Sequence, residues 1–386
     1  MKKTENILRN YIQKKKCTLL AIGPMSKNIV DSTVELSNTY EIPLMLIASR
    51  RQIDSQDHGS GYVNNWSTKE FSNYVKKKDK KNNIILCRDH GGPWQNNIEN
   101  NLNINDAMKS AKKSYKSDII NDFQIIHIDP SINKNKTQSV NSILEKIFEL
   151  YEFCYEISKK YKKKILFEIG TEEQVSGLST LEDIKYWISR VINFCNQNKI
   201  PQPFFIVTQT GTKVLELENV GAFDSDIRVK DQLPIEIQIP KIIEFAEKNN
   251  FFIKEHNADY LSDDALKWHP RLSIHAANVA PEFGTTETIS LIELMNRCNM
   301  KNEKEHFLEI AYNSNKWKKW MIKDSYSNDY KKSIICGHYV FADDKVVELK
   351  NKLNNELKFK NIDMNNYLKD SIKKAIKRYL YPFKII

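Results

Sequence analysis

Short apolar runs rich in Ile, Leu, Val and Phe recur along the chain. Between them lie longer stretches whose apolar residues fall three and four positions apart, the spacing of one helix face. The runs are CTLLAIGPM (17–25), PLMLIASRR (43–51), NIILCRDH (83–90), FQIIHIDPS (123–131), KILFEIGTE (164–172), PFFIVTQTG (203–211), FFIKEHNADY (251–260) and LSIHAANVAP (272–281). The intervening segments predict helices. Examples are TKEFSNYVKKK, with Thr68 as its cap, STLEDIKYWISRVINFC, capped by Ser179 or Thr180, and a helix starting near Thr285 or Thr286. Strands that are apolar almost throughout suit a parallel sheet covered on both faces. Eight of them alternating with helices predict an α/β fold, a (β/α)8 TIM barrel, rather than an open doubly wound sheet. The pattern changes after about residue 300, where polar helices, Trp317, Trp320 and the tail RYLYPFKII follow. The expected organisation is a barrel over 1–300 and a mainly helical C-terminal extension over 301–386.

Composition narrows the class. The chain has 386 residues and is 40% hydrophobic, enough for a large core without disulfides. Its six cysteines are scattered, with no CxxC pair. The opening MKKTENILRNYIQKKK has no apolar signal core, and no apolar run reaches the ~20 residues of a spanning helix. The expectation is a reduced, cytoplasmic protein with no membrane partner. A net charge of +10 raises the question of nucleic acid. The basic runs VKKKDKKNN and SKKYKKK lie in polar helix ends without interleaved aromatics, so no nucleic-acid partner is expected. The chain has no GxxxxGK[ST] loop, no GxGxxG after the first strand and no GxSxG elbow, which sets aside the commonest nucleotide and serine-hydrolase sites.

Chemistry in a TIM barrel sits where strands end. The second run ends in Ser49, Arg50 and Arg51, the third in Asp89 and His90, and the fourth in His127 and Asp129. Glu168 and Glu172 follow in the fifth, Gln209 and Thr210 in the sixth, Glu255 and His256 in the seventh, and Asn278 in the eighth. Burying so many ionisable groups is costly unless they are paired or hold a cation. Two imidazoles with a carboxylate or amide suit a divalent metal, most simply zinc. His90 and His256 are the leading ligands, with Glu172 and Gln209 as further candidates. Asp89 would move a hydroxyl proton, and Glu172 is its companion candidate for catalysis. Ser49, Arg50, Arg51, His127, Asp129 and Asn278 are the candidate substrate contacts, with an ion pair to a Glu or Asp of a neighbouring loop as the equal alternative for Arg50 and Arg51. The plainer alternative for Asp89–His90 is a capped turn. The helix start after NVAP (278–281) could also receive a phosphate.

RDHGGPW, IHIDPS, EIGTEEQ and EHNADY, in that order, resemble the GatZ/KbaZ-like family, the non-catalytic subunits of class II D-tagatose-1,6-bisphosphate aldolase. The likeness runs from IASRRQID to HAANVAPEF. It implies a class II aldolase-like barrel over 1–300 and a place in carbohydrate metabolism, acting on a phosphorylated ketose by metal-assisted aldol, retro-aldol or epimerase chemistry. It also implies Asp89 as base and His90 and His256 as metal ligands. Catalytic relatives carry a further histidine after the sixth strand, where this chain has Gln209 or Thr210. The resemblance therefore leaves two expectations open: an enzyme in its own right, or an accessory subunit that stabilises a separate catalytic class II aldolase. Either is expected to be an oligomer.

Overall fold

Each of the eight apolar runs contains one strand of a closed parallel barrel in the computed structural model, which describes residues 2–132, 139–170, 181–208, 210–221, 223 and 235–386. The first six strands are β1 (Leu19–Ile22), β2 (Leu44–Ser49), β3 (Ile84–Gly91), β4 (Ile125–Ile128), β5 (Leu166–Ile169) and β6 (Phe205–Val207). A small antiparallel hairpin, β7 (Val214–Leu215) and β8 (Glu218–Asn219), interrupts the series. β9 (Phe252–Glu255) and β10 (Ala276–Val279) then complete the barrel, β10 pairing with both β9 and β1. The strands are buried on both faces because side chains fill the inside and helices cover the outside. Each fully buried Ile, Leu or Phe contributes about 1.5–3 kcal/mol relative to exposure.

The covering helices are α2 (Lys27–Tyr40), α3 (Thr68–Lys78), α4 (Ile104–Ile120), α5 (Val140–Lys160), α6 (Leu181–Asn198), α7 (Ile235–Lys248), α8 (Asp263–Arg271) and α9 (Pro281–Arg297). Five of them begin at a Ser or Asn side chain that accepts from an amide of the first turn. The cap of α3 is Ser67, not Thr68: Ser67 and Glu70 form a reciprocal capping box. The expected caps of α6, Ser179 and Thr180, lie outside the described residues. α9 starts at Pro281, directly after β10 and four residues before Thr285. Proline suits that first position because its missing N–H would have had no helical partner.

Both ends of the chain add to the barrel. The N-terminal α1 (Lys2–Arg9) buries Leu8 and lays the Arg9 guanidinium over Phe204 and Phe252, at 5.2 and 5.1 Å. After α9 come α10 (Lys301–Asn313), α11 (Asp329–Cys336) and α12 (Asp344–Phe359), which share a second apolar cluster with α9 around Phe307, Leu353 and Leu357. α13 (Met364–Leu380) returns to the barrel and puts Ile372, Ile376 and Tyr379 into the main core. Among the described residues, no helix is long and apolar enough to cross a membrane.

Candidate metal centre and active site

Strand alternation should send Asp89 and His90 to opposite faces. Arg88 obeys that rule: it points outward and grips Asp118 of α4 through Nε and Nη2, at 2.8 and 2.6 Å. Asp89, on the other face, points into the barrel mouth. The pairing of β3 with β4 then slips, because Arg88 opposes Ile126 while Gly91 opposes Ile128. This bulge places one extra residue in β3, and His90 adopts a left-handed φ of 43°. Bulges re-aim side chains in this way, and His90 turns into the same cavity as Asp89. The glycines that follow are required by close approach. A Cβ on Gly91 would lie 2.4 Å from the Tyr115 ring, and one on Gly92 would lie 2.2 Å from the Asp129 carbonyl oxygen.

The same alternation selects which groups enter from the other strands. On β9, Glu255 faces outward, where its carboxylate meets His269 Nε2 at 2.6 Å. Lys254 therefore faces inward, and His256 just beyond the strand joins it. Inside the barrel, Lys254 Nζ donates to Glu168 Oε2 at 2.7 Å. The other oxygen, Glu168 Oε1, lies 3.5 Å from His256 Nε2 and 3.7 Å from His127 Nδ1. Asp89 Oδ1 faces the same two nitrogens, at 3.7 and 3.8 Å. Asp89, His127, Glu168 and His256 thus offer four ligand atoms within 4.8 Å of one another.

This arrangement fits a metal. An ion holding nitrogen and oxygen donors at about 2.0–2.2 Å in a tetrahedron spaces them about 3.3–3.6 Å apart. Glu168 Oε1 is buried with the imidazoles of His256 and His127 facing it at 3.5 and 3.7 Å, an acidic, nitrogen-lined pocket that a cation would complete. His127 Nδ1 accepts a hydrogen bond from the His90 amide at 3.2 Å, so it presents a lone pair, as a ligand must. A bound ion would take the place of that amide.

His90 stands beside the group. Its ring centroid lies 5.0 Å from that of His256 and 5.6 Å from that of His127. Its Nδ1 is tied to Asp129 Oδ2 at 2.6 Å. Asp129 is in turn held by the Gln95 amide and the Ser131 backbone N–H. Asn278 Nδ2 donates to Asp89 Oδ1 at 3.2 Å.

Charge follows from these contacts. Burial works against the His90 cation, but Asp89 and Asp129 outweigh it and push the imidazole up to about 9. Burial likewise opposes ionisation of Asp89, yet the three surrounding histidines hold its carboxyl far below the usual range. Glu168 is drawn down to about 2, against burial, by Lys254, His127 and His256. The centre is therefore a buried, ionised cluster open to a cavity of about 450 Å3.

Several sequence expectations need correction. Arg50 does not line the cavity. It is buried, with Nε 2.9 Å from Asp54 and Nη2 2.6 Å from Glu99, and Nη1 donates to the Gly92 carbonyl at 2.8 Å. Its place is the scaffold of the loop after β3, whereas its neighbour Arg51 lines the cavity together with Ser49 and Asn278. The start of α9 is not open to a phosphate either. Asp259 Oδ1 already accepts from the amides of Ala280 and Glu282, both at 2.9 Å. Burial and nearby Glu282 push the Asp259 carboxyl up to about 8. His127 and Asp129, expected as substrate contacts, sit instead within the cluster and behind His90. Glu172 and Gln209 lie outside the described residues.

Three contributions escaped the sequence reading. Glu168 was one of several acids at the end of its run, and its place in the centre comes from facing inward. Lys254 was readable in principle, since a lysine inside an otherwise apolar strand must have a buried partner. Lys319, Trp320 and Tyr339 of the C-terminal region also line the cavity, and nothing in their local pattern connects them to the barrel.

No protein-family model matches the sequence, and no curated protein matches it. The fold does have solved counterparts. A probable tagatose 6-phosphate kinase from Sinorhizobium meliloti 1021 aligns with a TM-score of 0.74 and 13% identity, over 95% of this chain and 100% of that one. A fructose-bisphosphate aldolase from Campylobacter jejuni aligns at 0.56 and 12% identity, over 99% and 94%. The fructuronate–tagaturonate epimerase of Cohnella laeviribosi aligns at 0.58 and 9% identity, over 95% and 81%. At these identities the likeness is one of fold.

Proposed function

We propose that this chain is a metal-dependent enzyme of carbohydrate metabolism that acts on a phosphorylated ketose, by aldol cleavage or by an epimerisation using the same steps. The observation that carries the reading is the four-donor group of Asp89, His127, Glu168 and His256, with edges of 3.5–3.8 Å between carboxylate and imidazole atoms. The resemblance to GatZ/KbaZ-like sequences supports the sugar class. So do the names of the fold's counterparts, which refer to tagatose 6-phosphate, fructose bisphosphate, and fructuronate with tagaturonate.

A divalent ion in this group, zinc by donor type, would act as a Lewis acid on the ketose carbonyl. The chain's own residues do the rest. Lys254 keeps Glu168 ionised, and Asn278 fixes Asp89. Asp129 holds His90 by Nδ1, and a cation bound at Asp89 would offset the charge that keeps His90 protonated, freeing Nε2 to take a proton from a substrate hydroxyl. When that proton leaves, the adjacent C–C bond opens and its electron pair moves to the carbonyl side. Re-forming the C–C bond on the other face of the aldehyde carbonyl, and returning the proton to the alkoxide oxygen so produced, gives the epimer. In this arrangement Asp89 and His90 exchange the roles that the resemblance implies: Asp89 faces the ion and His90 carries the proton. Keeping four ionisable groups buried around one point is costly, which favours a working centre over the accessory reading.

The test is metal analysis of the purified protein, with aldol cleavage of tagatose and fructose 1,6-bisphosphates and epimerisation of fructuronate measured with and without EDTA. About one ion per chain and EDTA-sensitive turnover are expected. A protein with neither metal nor turnover, active only alongside a separate aldolase, would overturn the proposal in favour of the accessory role.

A further inference from the structure

Part of the wall of the cavity comes from the far end of the sequence. A short turn at Lys316–Trp320 places Lys319 and Trp320 there, and Tyr339 joins them. The turn is held in place by several contacts. Trp320 Nε1 donates to Tyr339 Oη at 3.2 Å, and the Trp320 carbonyl accepts from the Glu216 amide of the β7–β8 hairpin at 2.6 Å. Glu216 itself accepts from Ser327 and is paired with Lys331, both at 2.6 Å. Tyr339 packs on Tyr62 of the barrel, with ring centroids 4.9 Å apart. Lys319 Nζ lies over the Trp320 ring at 4.4 Å, an arrangement that orients the ammonium.

Charge in the cavity is divided. The carboxylates and imidazoles of the centre lie at the barrel strands. Among the described residues, Arg51 and Lys319 are the lysine and arginine side chains that line the cavity. Arg50 is paired with Asp54 and Glu99 outside the cavity lining, and the start of α9 holds Asp259.

We propose that Arg51 and Lys319 form the site for an anionic end group of the substrate, so that the C-terminal region completes the active site and sets its specificity. The inference rests on the ketose reading above and deepens it. The ketose carbonyl lies at the metal centre, and a phosphate or carboxylate at the other end of the sugar is held by the guanidinium and the ammonium. Trp320 and Tyr339 supply the aromatic wall along which the carbon chain lies. A phosphate accepts paired hydrogen bonds from a guanidinium and a point charge from an ammonium.

The experiment has two parts, so that failure of this site and failure of the proposed activity can be told apart. First, binding of inorganic phosphate, and separately of a hexuronate, is measured by calorimetry on the full chain after EDTA treatment, which needs no turnover. Wild type should bind at least one of the two, and the preferred one identifies the end group. Lys319→Met and Arg51→Met should each weaken that binding at least tenfold, Lys319→Arg should restore most of it, and Lys318→Met, at a neighbouring exposed lysine outside the cavity lining, should leave it within about threefold. Second, where turnover is found, Lys319→Met should raise KM for the anionic ketose at least tenfold with a smaller change in kcat, and should erase the preference for it over neutral tagatose. Wild-type protein that binds neither anion, or a Lys319→Met protein that binds as wild type does, would overturn the proposal whatever the turnover results.

Discussion

Replacing Lys254 by methionine tests the electrostatics of the centre most directly. The wild-type pair is buried completely, with Nζ and Oε2 separated by 2.7 Å and both side chains at 1% exposure or less. Methionine keeps much of the volume and leaves Glu168 without its cation. Breaking a buried pair from one side costs about 3–5 kcal/mol, because the remaining charge is neither solvated nor compensated. Unfolding entropy near 2.1 cal/mol/K per residue gives roughly 0.8 kcal/mol/K for this length, so Tm should fall by about 4–6 °C. Differential scanning calorimetry in EDTA would measure it. A saturating divalent ion should shrink the difference between Lys254→Met and wild type, since an ion in the four-donor group neutralises the same carboxylate. Removing the stranded charge with Lys254→Met/Glu168→Gln should recover stability relative to Lys254→Met in EDTA. A Lys254→Met protein that melts within a degree of wild type in EDTA would refute the reasoning. So would a double variant no more stable than Lys254→Met.

Other consequences follow from the same geometry. His90→Asn should keep about one ion per chain by elemental analysis yet lose at least a hundredfold in kcat, within the usual range for a general acid–base group; loss of the metal instead would return His90 to the ligand role implied by the resemblance. Gly92→Ala should lower turnover and reduce protection of the loop after β3 in hydrogen exchange, because its Cβ would overlap the Asp129 carbonyl and disturb the partner of His90. His275 accepts from the Ile253 amide, and burial pulls its imidazole down to about 4 from an ordinary 6.5. The unfolded chain therefore binds that proton first, and stability should fall as pH drops from 6.5 towards 4, by up to about 3 kcal/mol from this group. Urea melts of wild type and His275→Gln across that window should converge as pH falls, and parallel curves would count against the assignment.

The barrel was legible because each strand is buried on both faces, which leaves an almost unbroken apolar run whatever the helices do. The polar ends of those runs were legible for the same reason, since a charge that interrupts such a run needs a partner or a purpose. What the pattern could not supply was direction. Arg50 and Arg51 look alike in sequence, yet one is locked to Asp54 and Glu99 and the other faces the cavity. Asp89 and His90 should diverge, and they converge only because His90 takes a left-handed backbone at a bulge. Glu255 and His256 end the same run, and alternation sends the first outward to His269. The contribution of Lys319 and Trp320 depends on a chain reversal far from the barrel strands, so no local periodicity encodes it. Direction therefore decides function here. The barrel supplies a ring of inward positions, the bulge in β3 adds one imidazole beyond what alternation allows, and the C-terminal turn adds a lysine to the lining of the same cavity. The proposed centre for proton transfer and the proposed anion site thus draw on parts of the sequence that share no motif.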